Sequence, residues 1–286
     1  MSKLFTWSLI VAFAGFLFGF DTVVISGADI ALQNLWPRGE FFHGFVIMAS
    51  ALWGTVIGAV FGNIPADKLG RKKTLVWIGI LYLISAVGSA FATDPWIFAF
   101  ARFLGGLAIG ASTIAAPAYI SEIAPPAKRG RLVALYQFDI VLGILIAFLS
   151  NYLLSGINAE DWRWMMGIQA IPALIYTLLV MLVPESPRWL IINKNDLKTA
   201  ANTLRITNPG TDVEAEINRI VADHDVSDKR ESIFDSKYRF PLMLAFLIAF
   251  FNQFSGINAF LYYAPRIFEI AGLEKSSALL SSVGIG

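Results

Sequence analysis

Long apolar runs, each about as long as a bilayer is thick and separated by short charged patches, divide this chain. They lie at about 7–31, 42–64, 74–93, 96–119, 132–154, 164–183 and 241–263. A helix rising about 1.5 Å per residue needs roughly 20 such residues to cross a hydrocarbon layer of about 30 Å. An eighth run opens near Ser276 and is cut short at Gly286. The pattern predicts an all-α membrane bundle: six spans within 1–188, a hydrophilic segment at 189–240, and the start of further membrane structure at 241–286. In the hydrophilic segment, Lys194 to Ile206 reads as a helix stopped before Asn208-Pro209-Gly210. Thr211-Asp212-Val213-Glu214 reads as a capping box that opens a second helix, with Val213, Ile217 and Ile220 as its apolar stripe. Two surface helices are expected there, because the segment is too short for a separate ligand-binding domain. The first run is too long, and Met1-Ser2-Lys3 too short, for a cleaved signal peptide.

Charge placement adds orientation. Lys3, the cluster Lys68 to Lys73, Lys128 to Arg131, and the basic residues from Arg188 to Arg239 fall on one side of the predicted bundle. Arg38, Arg163, Arg266 and Lys275 fall on the other. Basic residues gather on the cytoplasmic side, so the amino terminus is expected there, in a multi-pass protein of the cytoplasmic membrane. Fifty-six per cent hydrophobic residues against fifteen per cent charged exclude an ordinary soluble domain. A net charge of +1 without a clustered basic face argues against a nucleic-acid partner. The absence of cysteine excludes disulfides and thiolate ligands, and His43 and His224 fall on opposite sides, so no metal or other cofactor is expected.

Asp21 is a carboxylate deep in the first run, where an ionisable group costs on the order of 3 kcal/mol and usually serves a function. Counted from Trp7 it sits about 21 Å up the first helix, roughly 10 Å below the far edge. Arg102, entering from that edge on the fourth run, reaches a similar depth, so the two can meet. They can form a proton site or a static ion pair. On the fifth run Gln137 shares a face with Ile144 and looks into the bundle, as a ligand for hydroxyls or as an interhelical hydrogen bond. Asp139 points elsewhere and is expected to find a partner on a neighbouring helix. The seventh run carries Asn252, Gln253, Ser255, Asn258, Tyr262 and Tyr263. Gly256 and Pro265 suggest that this helix is broken, which would turn both polar subsets onto one ligand. Glycines spaced by four, as in Gly15/Gly19 and Gly54/Gly58/Gly62, read as close-packing sites. Three clusters at the cytoplasmic helix ends mix charges: Asp67 with Arg71, Glu122 with Arg129, and Glu185 with Arg188. They suit a lock between helix ends. No nucleophile stands beside a base, so an enzyme is not expected.

The chain resembles the sugar porter family of the major facilitator superfamily. The likeness rests on GFLFGFDTVVISGA at 15–28, GNIPADKLGRKK at 62–73, RFLGGLAIGAS at 102–112, PAYISEIAPPAKRGRL at 117–132, PESPRWL at 184–190 and NQFSGINAFLYYAP at 252–265. The resemblance implies two related halves around an alternating-access cavity, and it is strongest with the proton-coupled, D-xylose-type branch. It implies that Asp21 and Arg102 couple transport to a proton. It also implies that Phe18, Gln137, Asn252, Gln253, Asn258 and Tyr262 contact a monosaccharide, hexose or pentose, and that Asp67, Arg71, Glu122, Arg129, Glu185 and Arg188 form a cytoplasmic gate. Asn252 and Ile144 stand where xylose-type members carry glutamine. Because the sequence stops within an eighth helix, the chain is expected to be part of a longer transporter. Passive uniport and a non-transporting sugar sensor are the alternatives to proton symport.

Overall fold

The computed structural model describes residues 3–210, 212–227 and 235–286. Among them, seven helices are long and apolar enough to cross a membrane. The first six are α1 (Lys3–Gly27), α2 (Glu40–Phe61), α3 (Arg71–Ala90), α4 (Pro95–Ile123), α5 (Pro126–Leu154) and α6 (Asp161–Val180). The surface helices α7 (Leu197–Thr207) and α8 (Val213–Ser227) follow. The seventh span, Ser236–Ile270, is broken into α9 (Arg239–Phe254) and α10 (Ile257–Ile270), and α11 (Lys275–Val283) comes last. The end of the bundle that carries Lys3 is called the near end below, and the opposite one the far end.

The first span is shorter than its hydrophobicity suggests. It tightens into a 3₁₀ turn at Ile25–Gly27, and a separate short helix, Asp29–Leu35, follows instead of a continuation to residue 31. Asn151 of α5 explains the stop: its Nδ2 donates to the Val24 carbonyl at 3.1 Å, and its side chain fills the space a Cβ at Gly27 would need.

Glycines set the helix pairing. Gly15 and Gly19 bring α1 onto the backbone of Tyr136 and Ile140 in α5, and Gly143 of α5 returns the contact at Phe16. Gly54 and Gly58 of α2 meet Phe103 and Leu107 of α4, while Gly106 and Gly110 of α4 meet Ala51 and Thr55. Small residues permit this approach where lipid supplies no hydrophobic push. α3 and α6 then cover α4 and α3 respectively.

The surface helices differ from expectation at their starts. Leu190–Lys194 is wound as a π turn ending in left-handed Asn195, so α7 begins after Asp196, whose Oδ1 accepts from the Thr199 amide at 3.0 Å. That hydrogen bond holds the Asp196 carboxyl below its usual range. Asp212 caps α8 by accepting from the amides of Glu214 and Ala215 at 3.0 and 3.3 Å; Thr211 of the expected capping box lies outside the described residues. Ile217 and Ile220 pack on Trp189, Leu190, Ile191 and Ala200, so these helices share a small core beneath the bundle.

The break at Gly256 is present, with φ +76° between α9 and α10. The two pieces differ sharply. Every residue of α9 is exposed, whereas α10 buries Leu261, Tyr262, Ala264 and Pro265 against the first six spans.

Candidate functional site

Asp21 and Arg102 meet as their depths predict, and both are fully buried. Arg102 Nη1 donates to Asp21 Oδ1 at 2.8 Å, and Nη2 donates to the Asp21 main-chain carbonyl at 2.9 Å. The guanidinium therefore grips α1 twice, once through a titratable group and once through a permanent one. Gly105, one turn beyond Arg102, makes the room: a Cβ there would run into Ser85 Oγ and touch Asp21 Oδ1. Asp21 Oδ2 and Arg102 Nε have no hydrogen-bond partner among the described residues. Tyr82 of α3 lies within electrostatic reach of Asp21, beside the Ser112–Tyr136 hydroxyl pair at 3.0 Å.

The proposed sugar-contact residues divide into two walls. On the first, Phe18 is half-buried one turn before Asp21, Gln137 is exposed next to buried Tyr136, and Ile144 is half-buried beside Gly19. On the second, the Gly256 break draws Gln253 and Asn258 together, with Asn258 Nδ2 donating to Gln253 Oε1 at 2.6 Å. Exposed Asn252 engages Ser255 through its carbonyl at 2.6 Å, and its side chain stays outside that amide pair. Buried Tyr262 carries the second wall to the ion pair, within electrostatic reach of both Arg102 and Asp21.

Asp139 corrects an expectation. It is buried, but its Oδ2 has no hydrogen-bond partner among the described residues. The α1 surface that packs on this stretch of α5 is Gly15, Phe16, Gly19 and Phe20, which offers no side-chain donor.

The near end holds a dense polar network. Arg71 donates to Asp67 Oδ1 at 3.0 Å and to Glu122 Oε1 at 3.2 Å. Glu122 Oε2 accepts from Ser186 Oγ at 2.5 Å, and Glu185 Oε1 accepts from the amides of Lys72 and Ser186 at 3.0 and 2.9 Å. Trp189 Nε1 closes the circuit on the Asp67 carbonyl at 2.7 Å. Arg188 is half-buried within electrostatic reach of Glu122. Arg129 does not join: it lies in the exposed first turn of α5, and its side chain has no hydrogen bond or ion pair to Glu122. Ser186 and Trp189 are members that sequence reasoning missed, although both lie inside the PESPRWL stretch.

A second set, at the far end, was also missed. His43 Nε2 lies 2.6 Å from Asp29 Oδ1, Arg266 Nη1 lies 3.3 Å from Asp29 Oδ2, and Lys275 Nζ lies 3.0 Å from Asp161 Oδ2. The available signal was a second acid eight residues beyond Asp21 and the lone histidine opening an apolar run.

A glycine-paired helical bundle, a broken seventh span and a buried acid–guanidinium pair together define the class: a multi-pass membrane protein with the architecture of the major facilitator superfamily. Residues 7–286 match the family described as Sugar (and other) transporter, and the chain belongs to that family. It is 38% identical over 278 residues to a D-xylose transporter of Levilactobacillus brevis, covering 96% of this chain and 60% of the relative. It is 35% identical over 270 residues to the galactose-proton symporter of Escherichia coli K12, covering 94% and 58%. Its fold superposes on a partially occluded, inward-open structure of the xylose transporter XylE from E. coli with a TM-score of 0.86 and 32% identity, covering 99% of this chain and 69% of that one. The chain thus spans about 60% of the length of these curated relatives. Proteins of this family are transporters and not enzymes.

Proposed function

We propose that this chain supplies the proton-coupling half and one part of the sugar site of a symporter that moves a monosaccharide inward with a proton. In this reading the amino terminus and the near-end network face the cytoplasm. The observation that carries it is Asp21. It is buried in the far third of the first span, held by Arg102 through one carboxylate oxygen, and its other oxygen has no partner among the described residues. Protonation at Asp21 removes the charge attraction, yet Arg102 stays on the main-chain carbonyl. An uncompensated buried charge costs about 3–5 kcal/mol, so the protonated protein favours an arrangement that solvates the guanidinium better. Phe18 presents a flat apolar face to the sugar ring. Gln137, Gln253 and Asn258 supply amide donors and acceptors for its hydroxyls, Asn252 borders them, and Tyr262 connects that wall to the ion pair. Asp67, Arg71, Glu122, Glu185 and Arg188 act as the cytoplasmic gate, with Arg129 at its solvent edge.

Passive uniport is the second reading, and one observation favours it: Arg102 Nη2 also donates to the Asp21 main-chain carbonyl, a group that does not titrate. Uptake into right-side-out vesicles bearing the complete protein separates the two. Symport predicts accumulation above equilibrium only under an inward proton gradient. Asp21→Asn is expected to abolish that accumulation while leaving sugar exchange intact. A ratio near one with and without the gradient, in the unaltered protein, establishes uniport instead.

A further inference from the structure

We propose that Asp29–Arg266 and Asp161–Lys275 form a charge latch that holds the far ends of the two halves together, with His43 as the residue that positions it. The inference rests on the transporter reading only in calling the far end extracellular. The geometric case is independent of that reading. Both ion pairs cross from the first six spans to the α10–α11 region, and both lie at the far end. The near-end network, by contrast, joins helix ends of the first half to the segment just after α6, and α9 stands exposed along its whole length. Among the described residues, these two ion pairs therefore tie α10 and α11 to the first six spans at the far end.

The latch has an inner and an outer bridge of different character. Asp29 is 1% exposed and uses both carboxylate oxygens, Oδ1 toward His43 and Oδ2 toward Arg266. The Arg266–Asp29 Oδ2 contact is an ion pair without a hydrogen bond, whereas Arg266 donates to Gln33 on the same short helix, which clamps the guanidinium over the turn carrying Asp29. His43 is 4% exposed, and its Nδ1 has no hydrogen-bond partner among the described residues. Among the described residues its side chain bonds Asp29, so its effect is to fix that carboxylate with Oδ2 turned across the seam. Lys275 is half exposed, so the Asp161–Lys275 bridge is screened by water and holds more weakly. Opening the far mouth separates both bridges. Asp29 then keeps its contact with His43 and Asp161 its bond from the Gly156 amide, while Lys275 returns to solvent.

A cavity of about 370 Å³ sits between the halves, lined by Ser26, Asp161, Arg266 and Lys275 among others, and supplies a reporter. Ser26 is 4% exposed, and residues 1–286 contain no cysteine. Ser26→Cys in the complete protein, on a cysteine-free background, is therefore hidden while the latch holds. Its reaction rate with a hydrophilic maleimide is to be measured without sugar or gradient, both in intact cells and in inside-out vesicles. Arg266→Gln is expected to raise the rate roughly 5-fold or more, and Lys275→Gln to raise it by less. His43→Leu is expected to match Arg266→Gln, whereas His43→Gln, which keeps a donor, stays near the parent rate. Exchanging the outer charges, Asp161→Lys with Lys275→Asp, is expected to restore part of the parent rate, since lysine at 161 cannot accept from the Gly156 amide. Rates unchanged or lowered in Arg266→Gln and His43→Leu overturn the latch. Should those variants fail to reach the membrane, an unchanged rate in Lys275→Gln, a substitution at a half-exposed position, overturns it alone. Labelling confined to inside-out vesicles corrects the orientation and still reads the latch. Failure of proton coupling, measured separately by uptake, leaves it standing.

Discussion

Arg102 is held to α1 by two bonds of unlike kind, and single substitutions separate their contributions. Arg102→Leu leaves the Asp21 carboxylate buried without its cation, and is expected to destabilise the protein by about 3–5 kcal/mol. The double variant with Asp21→Asn is expected to recover much of that loss, measured by thermal unfolding in detergent. Full loss in the double variant would show that the main-chain bond, not the ion pair, carries the stabilisation. This pair was legible in the sequence because helix rise converts residue number into depth, and depth alone brought the two charges to one level. Asp29 and His43 were not legible in the same way. Each sits where an apolar run meets a loop, and their pairing depends on a 3₁₀ turn that redirects the chain after Gly27. Asp139 misled for a related reason: its side chain is placed by a helix face, but the presence of a donor is decided by the neighbouring helix, and α1 offers glycine and phenylalanine there.

Elements were easier to foresee than their ends. Long apolar runs fixed the spans, and Gly256 correctly marked the break in the seventh, but helix starts moved where local hydrogen bonds decided them, as at Asp196 and Asp212. The glycine reading can be tested by contrast. Gly19→Ala places a methyl group against the Ile140 carbonyl and is expected to cost about 1–3 kcal/mol. Gly130→Ala, with no atom within 4 Å of the added carbon, is expected to stabilise its helix by up to about 1 kcal/mol. Both shifts are read from the unfolding midpoint, and equal effects would refute the close-approach role. Gly256→Ala strains a left-handed residue by about 1–2 kcal/mol and displaces Asn258 from Gln253. On the proposed sugar site, weaker binding by calorimetry with the Asp21–Arg102 contact unchanged is the expected result.

At the scale of the whole molecule, orientation follows from charge and has a direct check. Cysteine placed at Lys3 is expected to react with an impermeant reagent only after permeabilisation, and cysteine at Asn158, exposed at the far end, in intact cells. The reverse pattern would invert every assignment of inside and outside made above. The seam between halves was the least legible feature, because it joins residues more than a hundred positions apart through side chains that look like ordinary loop charges. The glycine contacts have a mechanical corollary. α1 with α5, and α2 with α4, approach backbone to backbone at their glycines. Each of these two pairs should consequently resist sliding more than rotation, since a shift along either seam drives backbone into backbone.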